Sequence, residues 1–173
     1  MSFVYALSKL LKISEKSFFK AMKSFKGLPH RFEIFLQRGN TIFINDSKAT
    51  SFTAAESALR SLKNVYWILG GLPKRNDKLV LSKIKKNIIK SYLIGKNINF
   101  FKKQIKDKID FSITKNLENS IIKISQDLEL QTQINKFILL SPGAASFDQF
   151  KNFESRGKFF NNQIKRLRII WVK

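Results

Sequence analysis

The sequence contains no cysteine, which excludes disulfides, thiolate metal sites and cysteine nucleophiles. It has a single histidine, His30, beside Arg31 at an expected hinge. One imidazole argues against a protein-only transition-metal site and against a Ser-His-Asp arrangement, so His30 reads as a packing or hydrogen-bonding residue. No apolar run approaches the roughly 18 residues a membrane span needs. The opening MSFVYALSKLLK lacks the charged leader and cleavage site of a signal peptide and reads as an amphipathic helix. These absences make a cytoplasmic location the default expectation. No G-x-x-x-x-G-K-[ST] or G-x-G-x-x-G occurs in the 173 residues, and there is no internal repeat or low-complexity linker. Acidic residues are also scarce, 12 against 33 Lys and Arg, for a net charge of +21.

What is present suits one domain with a small appendage. The chain is 43% hydrophobic, and its 17 Phe predict an aromatic core. The charge first suggests nucleic acid or an anionic membrane surface. However, Lys outnumbers Arg 26 to 7, and the basic residues are spread along the chain rather than gathered in one segment. Arg is the preferred reader of phosphates and bases, so abundant Lys with Ile, Asn and Phe fits an A/T codon bias better. A substrate carrying several negative charges would benefit from the same field.

Two helical patterns open the chain, with Val4, Leu7, Leu10 and Leu11 on one face and Phe18, Phe19, Met22 and Phe25 on another. The break at Gly27-Leu28-Pro29 sets a boundary, with residues 1–26 as a separate unit and 27–173 as the main domain. FEIFLQ (32–37) and TIFIND (41–46), joined by RGN, predict a β-hairpin. VYWILGG (65–71), KSYLIG (90–95) and KFILLSPG (136–143) are continuously apolar, as strands buried on both faces of a parallel sheet are. Helices are expected over 52–62, 78–89, 97–107 and 116–127, a weaker strand at 110–113, and a last helix over 154–170. In that last helix Ile164, Leu167, Ile169, Ile170 and Trp171 form an apolar stripe expected to pack on the sheet. The alternation predicts an α/β fold: a Rossmann-like open, mostly parallel sheet with helices on both faces, preceded by two helices.

Ligands in such sheets bind outside the carboxyl ends of the strands. Three strand exits are polar: Asn45–Ser51, Gly70–Asp77 and Ser141–Ser146. Each has a plain reading. Asp46, Ser47 and Thr50 would serve as helix caps, Gly70-Gly71 as a tight strand-to-helix turn, Lys74 as a solvated lysine and Ser146 as a cap. Phe147, Phe150 and Phe153 stand at helical spacing and read as core. Lys48 fits less well, because a cation opposes the dipole of the helix start that follows. An anion held by Lys48 and that helix start would remove the conflict. The small residues of SPGAAS likewise let a backbone approach something closely, and free N–H groups at a helix start can hold an anion.

GLPHRFE (27–33), NDSKATS (45–51), the Gly70-Gly71…Lys74 loop and LLSPGAASFDQFKNFESRG (139–157) resemble, in order, the carboxyl-terminal third of the Mur ligase family. The resemblance is strongest to the branch that adds D-glutamate, and its most specific segment is SFDQFKNFE. It implies a Rossmann-like domain that closes over a site and brings the incoming amino acid, with residues 1–26 similar to the last helices of a central ATP-binding domain. The implied reaction phosphorylates the carboxylate of UDP-N-acetylmuramoyl-L-alanine with ATP and Mg2+, after which the amine of D-glutamate displaces phosphate. Carried over motif by motif, Thr50, Lys74, Ser146, Phe147 and Phe153 would hold D-glutamate, and Arg31, Asp46 and Lys48 would contact the nucleotide. No catalytic group and no metal ligand is implied here. The first domain, the central domain and its P-loop would be supplied elsewhere, leaving this chain inactive alone as a ligase fragment or half of a split enzyme. Departures from the family pattern are Ser51 for Asn, Gly143-Ala144 for Ala-Cys, and Phe147 for a smaller aliphatic residue. The competing expectations are a free-standing basic nucleic-acid-binding module and a Mur ligase adding another amino acid. Under the ligase reading neither membrane nor nucleic acid is expected as a partner.

Overall fold

The computed structural model describes residues 2–129 and 135–166. It opens with two short helices, α1 (Ser2–Leu10) and α2 (Glu15–Ser24). Ser14 caps α2 by accepting from the Ser17 N–H at 3.2 Å. The Tyr5 and Phe18 rings meet edge to face at 5.2 Å, and Lys9 pairs with Glu15 at 2.6 Å. The apolar faces of this pair stay largely in solvent: Leu10 is 80% exposed and Phe25 61%.

After Gly27, β1 (Glu33–Arg38) and β2 (Thr41–Asn45) form the expected antiparallel hairpin. The remaining elements are α3 (Phe52–Arg60), β3 (Val65–Gly70), β4 (Ile88–Ile94), α4 (Ile98–Ile105), β5 (Phe111–Lys115), α5 (Leu117–Glu129), β6 (Lys136–Leu140) and α6 (Phe153–Arg166). The six strands lie in the order β1-β2-β6-β3-β4-β5. Every pairing except β1 with β2 is parallel.

Alternation along the strands divides the core in two. Val65, Trp67 and Leu69 of β3 point to one face with Phe52, Ala55 and Leu59 of α3 and Phe101 and Ile105 of α4. Tyr66 and Ile68 point to the other face, where Leu117, Ile121 and Ile124 of α5 and Phe160 and Ile164 of α6 cover them. All six residues of β3 are buried, which is why its sequence is continuously apolar. Burying each large side chain contributes roughly 1.5–3 kcal/mol. The one polar group of Trp67 is satisfied, its Nε1 donating to the Ser141 carbonyl at 2.7 Å.

The helix expected over 78–89 is not formed. Two single 3₁₀ turns, Leu81–Lys83 and Lys85–Asn87, stand there, and β4 starts at Ile88. The apolar spacing of Leu81, Ile84 and Ile88 suits consecutive tight turns as well as an α-helix, and all three are buried. Side chains then compete for the backbone: Glu56 accepts from the Val80 N–H at 2.7 Å, and Asn87 donates to the Leu59 carbonyl at 2.9 Å. The weak strand expected at 110–113 is a full edge strand, β5. The expected continuation of α6 to about residue 170, with Leu167, Ile169, Ile170 and Trp171, lies outside the described residues. Among the described residues no helix is long and apolar enough to cross a membrane.

Candidate functional site

Because β6 lies between β2 and β3 and runs parallel to both, the three polar exits are neighbours on one rim of the sheet. The chain leaves β3 for β4 over one face and returns from β5 to β6 under α5 on the other. The rim is therefore a topological switch point, where open α/β sheets form crevices. Backbone hydrogen bonds join the exits. The Asp46 N–H donates to the Leu140 carbonyl at 2.8 Å, Gly143 to Ala49 at 3.0 Å, and Gly70 to Pro142 at 3.0 Å. Leu72 and Ala145 exchange a pair of bonds at 2.8 and 3.0 Å.

This arrangement explains the small residues. Gly70 and Gly71 have φ of 140° and 131°, values L side chains rarely adopt. A Cβ on Gly70 would collide with the Ile94 carbonyl, and one on Gly71 with the Ala145 carbonyl. A Cβ on Gly143 would sit 3.0 Å from the Phe52 ring. The close approach is thus between the chain's own loops. The N–H groups of Gly143 and Ala145 are spent on Ala49 and Leu72, so these two members of SPGAAS are engaged within the fold. Nor do Gly70-Gly71 lead into a helix.

Of the eight residues singled out from the sequence, three come together beside His30. Asp46 is buried, accepting from Ser141 Oγ at 2.8 Å and from the Phe32 N–H at 3.1 Å. Burial raises its pKa, opposed by those two bonds and by the charge of Arg31, which is itself exposed. Lys48 holds its Nζ 4.1 Å over the Phe153 ring. That ring also meets His30 edge-on, centroids 6.5 Å apart. His30 is a buried packing and hydrogen-bonding residue: its Nδ1 lies 2.9 Å from Asn45 Nδ2, and its N–H donates to Glu33.

Thr50 is half-buried, one residue before the helix cap. The cap is Ser51, whose Oγ accepts a long 3.4 Å bond from the Ala54 N–H, while Asp77 accepts from the Phe52 N–H at 2.9 Å. Neither Asp46, Ser47 nor Thr50 caps α3, and two of its leading N–H groups are already engaged. The Lys48 ammonium lies over the Phe153 ring. Lys74 is exposed in the β3 exit. Ser146 is buried, and its carbonyl accepts from Gln149 and Phe150 at 3.1 and 2.8 Å. Phe147 is 70% exposed, so the core expectation fails there. It holds in part for Phe150, which packs against the α5–α6 face. Residues 147–152 are turns, and the helix begins only at Phe153.

No protein-family model matches the chain. Curated relatives do. The UDP-N-acetylmuramoylalanine--D-glutamate ligase of Agrobacterium fabrum is 40% identical over 155 residues, 90% of this chain and 33% of that protein. The proteins of the same name from Rickettsia felis and the Wolbachia of Brugia malayi are 38% and 39% identical, each over 94% of this chain and 36% and 32% of their own length. The chain is a relative of the D-glutamate-adding Mur ligases. It spans about a third of the length of the curated relatives it matches.

In this Mur ligase relative the most deeply placed charge on the rim went unassigned from sequence. Arg156 is 1% exposed. Its Nε donates to Ser47 Oγ at 3.0 Å, and its Nη2 donates to the Ser47 and Ala144 carbonyls at 2.8 and 3.0 Å. Ser47 Oγ in turn donates to the Phe153 carbonyl at 2.8 Å. Burial lowers the pKa of Arg156 to about 10, opposed by Asp148, so the guanidinium stays charged at neutral pH. Asp148 also accepts from the Lys96 N–H at 2.9 Å, tying the β6 exit to the β4 exit. Ser141, the partner of Asp46, was missed as well. The only sequence signal for these residues was their place inside SPGAASFDQFKNFESRG; charged residues at a helix start otherwise read as solvated. Among the described residues no group of three or more His, Cys, Asp or Glu could hold a metal ion.

Proposed function

We propose that this chain is the amino-acid-binding, carboxyl-terminal part of a cytoplasmic ATP-dependent ligase that joins D-glutamate to UDP-N-acetylmuramoyl-L-alanine. The observation that carries the reading is the bonded rim itself. Three adjacent strand exits bear Thr50, Lys74 and Ser146, in a chain 38–40% identical to D-glutamate ligases. On this reading Lys74, Thr50 and Ser146 bind the two carboxylates, aided by Phe147 and Phe153, and leave the amine free to attack. Phe147, exposed on its turn, meets the ligand partly through its N–H, so its size matters less than its backbone.

Arg31, Asp46 and Lys48 face the nucleotide. Arg31 and Lys48 supply positive charge, and Lys48 has to leave the Phe153 ring to reach a phosphate. ATP supplies the phosphoryl group that activates the acceptor carboxylate. The described residues offer no carboxylate cluster to Mg2+, and no step of this reading uses a metal held here. We assign the ATP and Mg2+ machinery to the part of the ligase that these residues do not cover. Residues 1–26 belong with that part, which accounts for the exposed apolar faces of α1 and α2. Closure over the site would follow substrate binding.

The test is Ser146→Ala. A charge-assisted hydrogen bond is worth about 1.5–3 kcal/mol, so affinity for D-glutamate should fall at least about tenfold in a titration followed by NMR, with melting temperature nearly unchanged. Unaltered affinity would remove Ser146 from the site.

A further inference from the structure

The buried cation of the rim faces a particular set of partners. Among the described residues the acceptors bonded to the Arg156 guanidinium are neutral: the Ser47 hydroxyl and the Ser47 and Ala144 carbonyls. Its third nitrogen, Nη1, lies beside Gly71, where a Cβ would come within 3.3 Å. One side chain from α6 therefore reaches all three exits that form the rim. Its remaining electrostatic partner is Asp148, which acts through space while bonded to the Lys96 N–H. A buried positive charge held by neutral dipoles is expensive to maintain. It is better tolerated where an anion arrives close by, because the low dielectric strengthens that attraction.

We infer that Arg156 is a positioning and specificity-determining residue for the amino-acid site. It fixes the Ser47 and Ala144 exits in register, and its charge, set against Asp148, biases the rim toward an amino acid with a charged side chain over its neutral amide. The inference rests on the amino-acid-binding reading above. Arg156 touches no substrate in this role; it acts through the loops and through its field. A purely structural arginine would hold the same loops, but its loss would weaken all ligands alike.

The experiment titrates D-glutamate and D-glutamine separately into the 173-residue chain and takes the ratio of the two affinities. The wild type should prefer D-glutamate. Arg156→Gln should cut that preference about tenfold, the scale of one charge interaction across about 12 Å at an effective dielectric near 20. Asp148→Asn keeps an acceptor for the Lys96 N–H and removes the opposing charge, so it should raise the preference severalfold. This second variant keeps the test decisive if Arg156→Gln fails to fold. A ratio unchanged in either folded variant, even with both affinities reduced, overturns the inference. Binding of neither ligand by the wild type overturns the amino-acid-binding reading beneath it, and the inference with it.

Discussion

The hydroxyl of Ser141 donates to the carboxylate of Asp46 at 2.8 Å, across the ends of the adjacent parallel strands β6 and β2. Burial outweighs this bond, the Phe32 N–H and the nearby Arg31, and leaves the Asp46 pKa above its ordinary value of 3.8. A raised folded-state pKa means that the native protein binds the proton more tightly than the unfolded chain. The associated stability is complete below the ordinary value and is lost as pH rises through the raised one. Asp46→Asn removes that titration. Urea unfolding of both proteins across this range should show the variant gaining on the wild type as pH rises. Parallel profiles would mean that burial of Asp46 is not felt as a charge.

Gly71 and Gly39 both have positive φ, but only Gly71 is crowded. Gly71→Ala should cost at least about 2 kcal/mol, because backbone strain and the Ala145 carbonyl act together. Gly39→Ala, with nothing within 4 Å of the new Cβ, should cost only about 1 kcal/mol. Denaturant midpoints decide between them. Equal losses would show that the exits do not approach as closely as the bonds between Leu72 and Ala145 require.

Asp77 caps α3 from the neighbouring exit, reaching the Phe52 N–H at 2.9 Å. Asp77→Ala should lower stability by about 1 kcal/mol, and Asp77→Asn by less, since a neutral acceptor still caps. If Asn proved as costly as Ala, the carboxylate's charge rather than its acceptor would be the contribution.

The sheet was legible where burial acts on both faces of a strand. β3 is continuously apolar, and β4 and β6 largely so, because helices cover them above and below, and the hairpin turn at Gly39-Asn40 announces itself. Residues 78–89 misled because Leu81, Ile84 and Ile88 keep helical spacing while Glu56 and Asn87 capture or anchor the backbone. The strand exits were legible as polar and glycine-rich, but not what their atoms bond to. The small residues of SPGAAS invite a close approach in sequence, and in the fold Gly143 and Ala145 make it with Ala49 and Leu72. Arg156 shows the opposite failure. Its partners lie about a hundred positions away in Ser47 and twelve away in Ala144, distances at which no local pattern marks a buried cation.

D-glutamate is proposed to bind at the rim of β2, β6 and β3. The most direct measurement compares D- and L-glutamate on the 15N-labelled chain, with a single-stranded oligonucleotide as the control for its +21 charge. Saturable shifts are expected with the D-enantiomer, concentrated at Thr50, Lys74, Ser146 and Phe147, and weaker ones with the L-enantiomer. Identical responses to both enantiomers, or shifts only with the oligonucleotide and a steep salt dependence, would contradict it.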